Sequence, residues 1–183
     1  KNPNKSKPII NGAVSLFSDE DGTLQALIDF HLVTKWKTAG DSLLASSLLA
    51  RSDSKAILIV GAGTVGRSLR EAYGAYFPDA KFTVWNRTRA KAEAMALNDP
   101  RMKVAESLQG AVEAADIITS ATMSTEPLIK GAWLRAGQHV DLIGAYRPDM
   151  REVDDHALSR AKIFVDSYDT TVDHIGEIKL PLE

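Results

Sequence analysis

A glycine-rich run, Gly61-Ala62-Gly63-Thr64-Val65-Gly66, stands near the middle of the 183-residue chain. In this G-x-G-x-x-G pattern the first glycine allows a tight turn, the second lets the backbone approach a pyrophosphate, and the third lets a helix pack close to a strand. An all-apolar run at 56–60 precedes it and a helical pattern follows it. That context favours a dinucleotide site over a glycine-rich turn without a ligand. The predicted pyrophosphate contacts are Gly61, Gly63, Thr64, Val65 and Gly66.

The residues about 20 positions further on distinguish between nucleotides, because an NAD site usually has an acidic residue there for the ribose hydroxyls. This chain instead has Asn86-Arg87-Thr88, and an arginine fork suits a phosphate. The missing acid therefore predicts NADP(H), with contacts from Asn86, Arg87, Thr88 and Arg89. In the alternative interpretation Thr88 caps the next helix and the arginines are solvated, although capping by Thr88 is compatible with cofactor binding.

Small residues close two later predicted strands. The run Ser120-Ala121-Thr122 follows the strand predicted at 116–120, and Ile143-Gly144-Ala145 follows the one predicted at 138–143. Ligands of open parallel sheets bind at the carboxyl ends of the strands, and small residues let the backbone come close to them. We therefore expect these loops to flank the cofactor, although tight strand exits would produce the same pattern.

A polar stripe runs along a helix predicted over 34–50. Its members, at positions i, i+3, i+4 and i+7, are Thr34, Lys37, Thr38 and Asp41. The predicted start places Lys35 and Lys37 in the first turn, where a cation opposes the helix dipole and a bound carboxylate would neutralise it. Lys37 and Asp41 are also four residues apart, and the residues alone favour a simple ion pair between them.

The composition is that of a globular protein, with 44% hydrophobic residues, 25% charged residues and a net charge of −2. There is no basic field to attract nucleic acid or an anionic membrane, and no apolar run approaches the roughly 20 residues of a membrane span. The absence of Cys excludes disulfides and fits a reducing cytoplasm, and four scattered His indicate no metal site. A start at Lys1 without Met or an apolar leader predicts no signal peptide, and it indicates a fragment or a processed piece.

The pattern of elements changes after residue 50. Before it come a polar loop at 1–12, a hairpin of two strands at 13–18 and 23–30, and the first helix. Strands and helices then alternate, which predicts an α/β protein with a doubly wound parallel sheet. The predicted strands are 56–60, 81–86, 102–105, 116–120, 138–143 and 162–166, and the helices are 64–77, 88–97, 107–115 and 151–161. The tail at 168–183 has no clear period.

Three stretches of the sequence resemble one known family, the ornithine cyclodeaminase/mu-crystallin family. They are residues 27–51 around Lys37-Thr38-Ala39, the turn Gly61-Ala62-Gly63, and Gly144-Ala145-Tyr146-Arg147-Pro148-Asp149 with Arg151-Glu152. The resemblance implies a Rossmann domain at 51–168 and a smaller α+β substrate and dimerisation domain formed from 1–50 and a return segment at 169–183. It implies a homodimer at full length, and it implies that this chain lacks an upstream Arg and Lys that contact substrate, as well as further C-terminal residues.

Two departures narrow the activity that the resemblance implies. Tyr146 stands where the cyclodeaminases have an Asp used in ring closure, which disfavours ornithine cyclodeamination. Lys37 stands where the family often has Arg, so carboxylate binding would lose a bidentate fork. The chain is most similar to the ketimine reductase branch, which implies NADPH-dependent reduction of a cyclic imino acid, Δ1-pyrroline-2-carboxylate or Δ1-piperideine-2-carboxylate, to L-proline or L-pipecolate. The implied site residues are Lys37 and Asp41 for catalysis, and Lys37, Thr38 and Arg147 for substrate binding.

Alternatives remain open at this point. Asn86-Arg87-Thr88 also resembles the NADP loop of shikimate dehydrogenases, although the first fifty residues lack that family's substrate motifs. Mu-crystallin relatives include NADP-dependent ligand-binding proteins, so the chain could bind a ligand with little turnover. Asp41 and Thr38 are candidate proton donors, and the resemblance implies that the upstream Lys absent from this chain is a better one. We expect Arg151 and Glu152 to be structural and Asp154-Asp155 to begin a helix.

Overall fold

The computed structural model describes residues 12–183, so the loop predicted at 1–12 lies outside the described residues except for its last position. The described chain opens with an antiparallel hairpin of β1 (Ala13–Phe17) and β2 (Leu24–Asp29), followed at once by helix α1 (Phe30–Leu49). Within this part of the chain, no helix has the length and apolar character needed to cross a membrane. Nor do three His or acidic side chains of these residues come together as possible metal ligands.

Helix α1 begins at Phe30, earlier than predicted, because Asp29 caps it. The Asp29 carboxylate accepts hydrogen bonds from the backbone N–H groups of the second and third helical residues, at 2.7 and 3.4 Å. The predicted placement of Lys35 and Lys37 in the first turn is therefore wrong. Both lie inside the helix, where the argument from the dipole does not apply, since that effect fades beyond the terminal turn.

Five parallel strands form the main sheet, in the order β5-β4-β3-β6-β7. They are β3 (Ala56–Val60), β4 (Lys81–Trp85), β5 (Met102–Val104), β6 (Ile117–Ser120) and β7 (His139–Leu142). The helices that accompany them are α2 (Thr64–Tyr76), α3 (Arg89–Ala96), α4 (Leu108–Ala114) and α5 (Asp155–Arg160). The strand order reverses between β3 and β6, as in a Rossmann sheet. The predicted doubly wound α/β fold is therefore confirmed.

Helices cover both faces of this sheet, which explains why β3 is a continuous apolar run. Ile57 and Ile59 face one core, which α1, α2 and α3 close. Leu58 and Val60 face the opposite core, which α4 and α5 close. All four of these side chains are buried, so the central strand anchors the turn that follows it.

The strand predicted at 162–166 is wrong. That stretch forms no strand, and its Ile163 and Phe164 are 49% and 55% exposed. An apolar run becomes a strand only where a neighbouring edge accepts it, and among the described residues β7 pairs with β6 alone. The tail that showed no period contains two short helices, α6 (Tyr168–Thr171) and α7 (Gly176–Leu182).

Candidate active site

The glycine-rich turn between β3 and α2 has the shape of a dinucleotide-binding loop. Gly61 has a φ of +113°, and a Cβ there would lie 2.7 Å from a carbonyl oxygen of the loop after β6. A Cβ at Gly66 would overlap the carbonyl oxygen of Gly61, so this glycine lets α2 pack against the turn. A Cβ at Gly63 would meet no atom within 4 Å. Gly63 therefore faces open space where Thr64 and Val65 begin α2, and the free N–H groups of that first turn can bind a phosphate.

Asn86 joins the end of β4 to the glycine-rich turn. Its side-chain oxygen accepts a hydrogen bond from the N–H of Ala62 at 3.0 Å, and its Nδ2 donates to the carbonyl oxygen of Thr88 at 2.9 Å. Asn86 therefore braces the loop, a role that the sequence did not predict. Thr88 precedes α3, but its side chain makes no capping bond. Thr88 therefore occupies the N-cap position of α3 as predicted, but it contributes its carbonyl oxygen and no side-chain capping bond.

The two arginines beyond β4 differ in their partners. Arg89 pairs with Glu93 at 2.9 Å, one turn along α3, and its contact with a cofactor stays a prediction. Arg87 is exposed, and within residues 12–183 it makes no hydrogen bond or ion pair. A pocket of about 160 Å³ opens beside them; it is lined by Trp85, Asn86, Arg87, Arg89, Ala92, Val104, Ala105 and Glu106. Arg87 is therefore the cation available to an anionic ligand in this pocket.

The loops after β6 and β7 meet at one buried carboxylate, that of Glu152, which is 0% exposed. Its Oε1 accepts from the Ser120 hydroxyl at 2.6 Å and from Thr122 twice, from the N–H at 2.7 Å and the hydroxyl at 2.6 Å. Its Oε2 accepts from the N–H of Gly144 at 2.8 Å. The hydroxyls of Ser120 and Thr122 are thus bonded inside the protein, so what this loop can offer a ligand is its backbone.

Ala121 and Ile143 extend the hydrogen-bond ladders of the sheet beyond the ends of β6 and β7. The N–H of Ala121 donates to the carbonyl oxygen of Val60 at 2.9 Å, and the N–H of Ile143 donates to that of Ser120 at 3.0 Å. Both side chains pack against the core on the α2 side of the sheet. The two loops therefore lie beside the glycine-rich turn, at the carboxyl edge of the sheet.

Glu177 of α7 holds the backbone of Glu152 in place. Its two carboxylate oxygens accept from the N–H of Glu152 at 2.6 Å and from the N–H of Val153 at 3.1 Å. Burial raises the pKa of Glu177, against the effect of these two bonds. Asp154 caps α5 through a bond of 3.0 Å from the N–H of Ala157. The structural role predicted for Glu152 is confirmed. Asp154 and Asp155 begin a helix as predicted, but α5 covers Asp155–Arg160 and not the predicted 151–161, because Asp154 caps it.

Helix α1 runs antiparallel to the strands, and its first turns extend past their carboxyl edge. Arg51, just beyond the helix, donates to the Gly137 carbonyl oxygen at 3.4 Å and to the Asp116 carboxylate at 3.5 Å, at the amino ends of β7 and β6. Ser42, earlier in the helix, lies 3.4 Å from the Thr119 hydroxyl near the carboxyl end of β6. The turns that precede Ser42 therefore extend over the edge where the glycine-rich turn lies.

Lys37 lies about 7 Å before Ser42 along α1, given a rise of about 1.5 Å per residue. Its Nζ pairs with Oδ2 of Asp41 at 2.9 Å, and both side chains are exposed. The bond to Asp41, its charge and the charge of Asp166 raise the pKa of Lys37. The ion pair considered from the sequence is therefore present. The half-buried Thr38 lies next to Lys37 in the same turn.

Arg147 also has a carboxylate partner. Its Nε and Nη2 donate to the two oxygens of Asp149 at 2.9 and 3.0 Å, which raises the pKa of Arg147 and lowers that of Asp149. The adjacent Tyr146 is 57% exposed, and its ring lies 5.8 Å from the guanidinium. Exposed ion pairs are weak, so Arg147 can exchange Asp149 for an anionic ligand.

A polar cluster beneath α1 was not predicted from the sequence. The hydroxyls of Ser42 and Thr119 donate to Oδ2 of Asp141, the latter at 3.1 Å. The Tyr73 hydroxyl lies 2.9 Å from that of Ser42 and 2.5 Å from that of Ser46. Burial raises the pKa of both Asp141 and Tyr73. A single acid between two apolar residues, Val140 and Leu142 of β7, was the signal available in the sequence.

The family model for the ornithine cyclodeaminase/mu-crystallin family matches residues 1–183. The chain belongs to this family. It is 48% identical over 186 residues to the Delta(1)-pyrroline-2-carboxylate reductase of Paracoccus denitrificans (strain Pd 1222), covering 99% of this chain and 59% of that protein. It is 36% identical over 178 residues to the ketimine reductase mu-crystallin of Mus musculus, covering 97% of this chain and 57% of that protein. The resemblance predicted from the motifs is therefore confirmed.

A solved structure shares the fold. It is that of the Thermococcus litoralis Delta(1)-pyrroline-2-carboxylate reductase in complex with NADH and L-proline. It matches this family member with a TM-score of 0.90 and 30% identity, over 99% of this chain and 58% of that one. The chain thus spans between 57% and 59% of the length of these three relatives.

Proposed function

We propose that this chain forms the cofactor-binding part of an NADPH-dependent reductase of cyclic imino acids, with Δ1-pyrroline-2-carboxylate or Δ1-piperideine-2-carboxylate as substrate and L-proline or L-pipecolate as product. The observation that carries the proposal is that the glycine-rich turn and the Lys37 turn of α1 reach the same edge of the sheet. A dinucleotide and a small carboxylic acid can meet there. The relatives named as pyrroline-2-carboxylate and ketimine reductases support the same reaction.

Arg87 supports NADPH over NADH as the cofactor. It follows β4, where an NAD site usually has an acidic residue for the ribose, and it has no partner among residues 12–183. Its guanidinium can donate two bonds to a 2′-phosphate, and the pocket beside it can hold part of the adenosine. The Thermococcus litoralis relative was solved with NADH, so the preference for NADPH is a property that we propose for this chain.

Lys37, Thr38 and Arg147 would hold the substrate carboxylate. Both cations have acidic partners, but an exposed ion pair is worth only about 0.2–1 kcal/mol, so a substrate carboxylate can replace either partner. NADPH, when bound, supplies the hydride that reduces the C=N bond. Asp41, released from Lys37, is the candidate to hold the proton that keeps the imine charged.

The hairpin supports a homodimer of the intact protein. Four of its large apolar side chains are between 49% and 68% exposed, namely Leu16, Phe17, Leu24 and Leu27. A two-stranded sheet is marginal alone, and an exposed apolar patch of this kind marks a contact surface. We propose that a second copy of the protein covers it.

The experiment is to follow NADPH oxidation by the intact protein with Δ1-pyrroline-2-carboxylate, beside NADH and 3-dehydroshikimate as alternative cofactor and substrate. We expect turnover that prefers NADPH. Arg87→Ala should raise the KM for NADPH about tenfold to a hundredfold, since a charge-assisted hydrogen bond contributes about 1.5–3 kcal/mol, and should leave the KM for NADH unchanged. Lys81→Ala, at the opposite end of β4, is the matched control.

Each of the other results of this experiment would contradict part of the proposed function. NADPH binding without turnover would favour a ligand-binding protein and contradict the reductase. Activity with 3-dehydroshikimate would favour a dehydrogenase of a cyclic hydroxy acid. An equal effect of Arg87→Ala on NADPH and NADH would contradict the role of Arg87 at the 2′-phosphate.

A further inference from the structure

Glu152 joins two loops that belong to different strands. Three of its hydrogen bonds come from Ser120 and Thr122 after β6, and one comes from Gly144 after β7, all at 2.6–2.8 Å. A Cβ at Gly144 would overlap the backbone of Thr122 and lie 2.6 Å from Oε1 of Glu152. The two loops are therefore packed directly against each other, with the carboxylate as their common acceptor.

The position of these loops in the sheet assigns them to one half of a dinucleotide. In a doubly wound sheet the cofactor lies across the point where the strand order reverses, with the adenosine ribose at the end of the second strand. That strand is β4, on one side of β3, and the loops held by Glu152 follow β6 and β7 on the other side. The nicotinamide half of the cofactor would therefore lie against the loops that Glu152 joins.

The support of Glu152 comes from outside the strands. Glu177 of α7 accepts the N–H groups of Glu152 and Val153 at 2.6 and 3.1 Å. The N–H of Gly176 donates to the carbonyl oxygen of Arg147 at 3.0 Å, which ties α7 to the loop after β7. The side chain of Glu152 thus reaches both loops from a backbone that α7 holds still.

We propose that Glu152 is a positioning residue for the nicotinamide half of the cofactor, and that Glu177 supports it. Glu152 touches no cofactor atom itself; it sets the separation of the two loops whose backbone meets the nicotinamide. This inference rests on the proposed function, because it requires that the site takes NADPH. It assigns separate residues to the two halves of the ligand, with Arg87 for the adenosine half and Glu152 for the nicotinamide half.

The test compares the binding of NADPH with that of adenosine 2′,5′-bisphosphate, which has the adenosine half and its 2′-phosphate only. In Glu152→Gln the side-chain NH₂ replaces an acceptor and faces an N–H or O–H donor. We expect a dissociation constant for NADPH about tenfold higher and one for adenosine 2′,5′-bisphosphate that is unchanged. Arg87→Ala should weaken both ligands, and Glu113→Gln, on the exposed face of α4, should affect neither.

The outcomes separate this inference from the function on which it rests. If Glu152→Gln weakens both ligands equally, or leaves NADPH binding unchanged, the positioning role is wrong. If the unaltered protein binds neither ligand, the proposed function fails instead. Should Glu152→Gln fail to fold, Thr122→Val and Glu177→Gln replace it. Thr122→Val removes one of the four donors, and Glu177→Gln loosens the backbone of Glu152, so each should weaken NADPH alone, to a smaller extent.

Discussion

The loops after β6 and β7 and helix α1 reach the same edge of the sheet, but buried carboxyl groups hold them in different ways. Glu152 uses both oxygens and accepts from two backbone N–H groups and two hydroxyls. Among residues 12–183, Asp141 accepts through Oδ2 alone, from the hydroxyls of Ser42 and Thr119. Backbone N–H groups therefore help to hold the loops at Glu152, whereas only rotatable hydroxyl groups bond to Asp141 among residues 12–183.

This difference determines which change each region tolerates. A backbone N–H is always a donor, so the donors around Glu152 need acceptor oxygens at all times. A hydroxyl can donate or accept, so the cluster around Asp141 can keep its bonds when the carboxyl group takes up a proton. The loops beside the proposed nicotinamide position thus have one arrangement, while the attachment of α1, and of Lys37 on it, accommodates two protonation states.

The largest expected effect is on stability when each carboxyl group is removed. Glu152→Ala leaves four donors without an acceptor, one of them buried and three partly buried, and a buried donor without a partner costs about 1–3 kcal/mol. We expect the free energy of unfolding of the intact protein, measured with urea, to fall by at least about 3 kcal/mol. Asp141→Ala should lower it by about half as much, because the remaining hydroxyls can bond to one another. Equal losses for the two variants would contradict the comparison, and Glu113→Ala is the exposed control.

A smaller effect is expected from pH. Burial raises the pKa of Asp141 in the folded state, so the folded protein binds this proton more tightly than the unfolded chain. Its contribution to stability is therefore full below the unfolded pKa and is lost as pH rises through the folded pKa.

Asp141→Asn should remove that dependence, because Asn has no carboxyl group to titrate. We expect the variant to gain on the order of 1 kcal/mol in the free energy of unfolding relative to the unaltered protein above the folded pKa, and to gain nothing in acid. Urea unfolding across a pH series measures this. A difference between the two proteins that is the same at every pH would contradict the assignment to Asp141.

The sequence predicted best those structural features that depend on residues close together along the chain. The glycine-rich turn was predictable because Gly66 is required by its contact with the carbonyl oxygen of Gly61 in the same turn, and Gly61 by its own φ of +113°. The start of α1 was missed because Asp29 ends a strand and caps a helix at the same position. A strand at 162–166 was predicted from composition, but pairing depends on a partner edge that composition does not contain.

The roles of the site residues were harder to predict because their partners are distant in sequence. Ser120 and Thr122 were correctly placed at the carboxyl edge of the sheet, yet their hydroxyls bond to Glu152, which lies 32 and 30 residues further along the chain. Asn86 was predicted to contact the cofactor, and its bond to Ala62 shows that it also braces the turn. Spacing identifies where a side chain lies, while its partner depends on the tertiary fold.

The smallest expected effect on stability is that of a substitution at Lys37. This substitution distinguishes a role of Lys37 in substrate binding from a role in the stability of α1. Lys37→Met breaks an exposed pair with Asp41, so the free energy of unfolding should change by no more than about 0.5 kcal/mol. The KM for the imino acid should nevertheless rise about tenfold, since the lost interaction is with a substrate carboxylate. Lys35→Met is the matched control, because Lys35 pairs with Glu71 of α2 at 2.7 Å and should leave this KM unchanged. If both variants raise the KM equally, the effect belongs to the packing of α1 and not to a carboxylate site at Lys37.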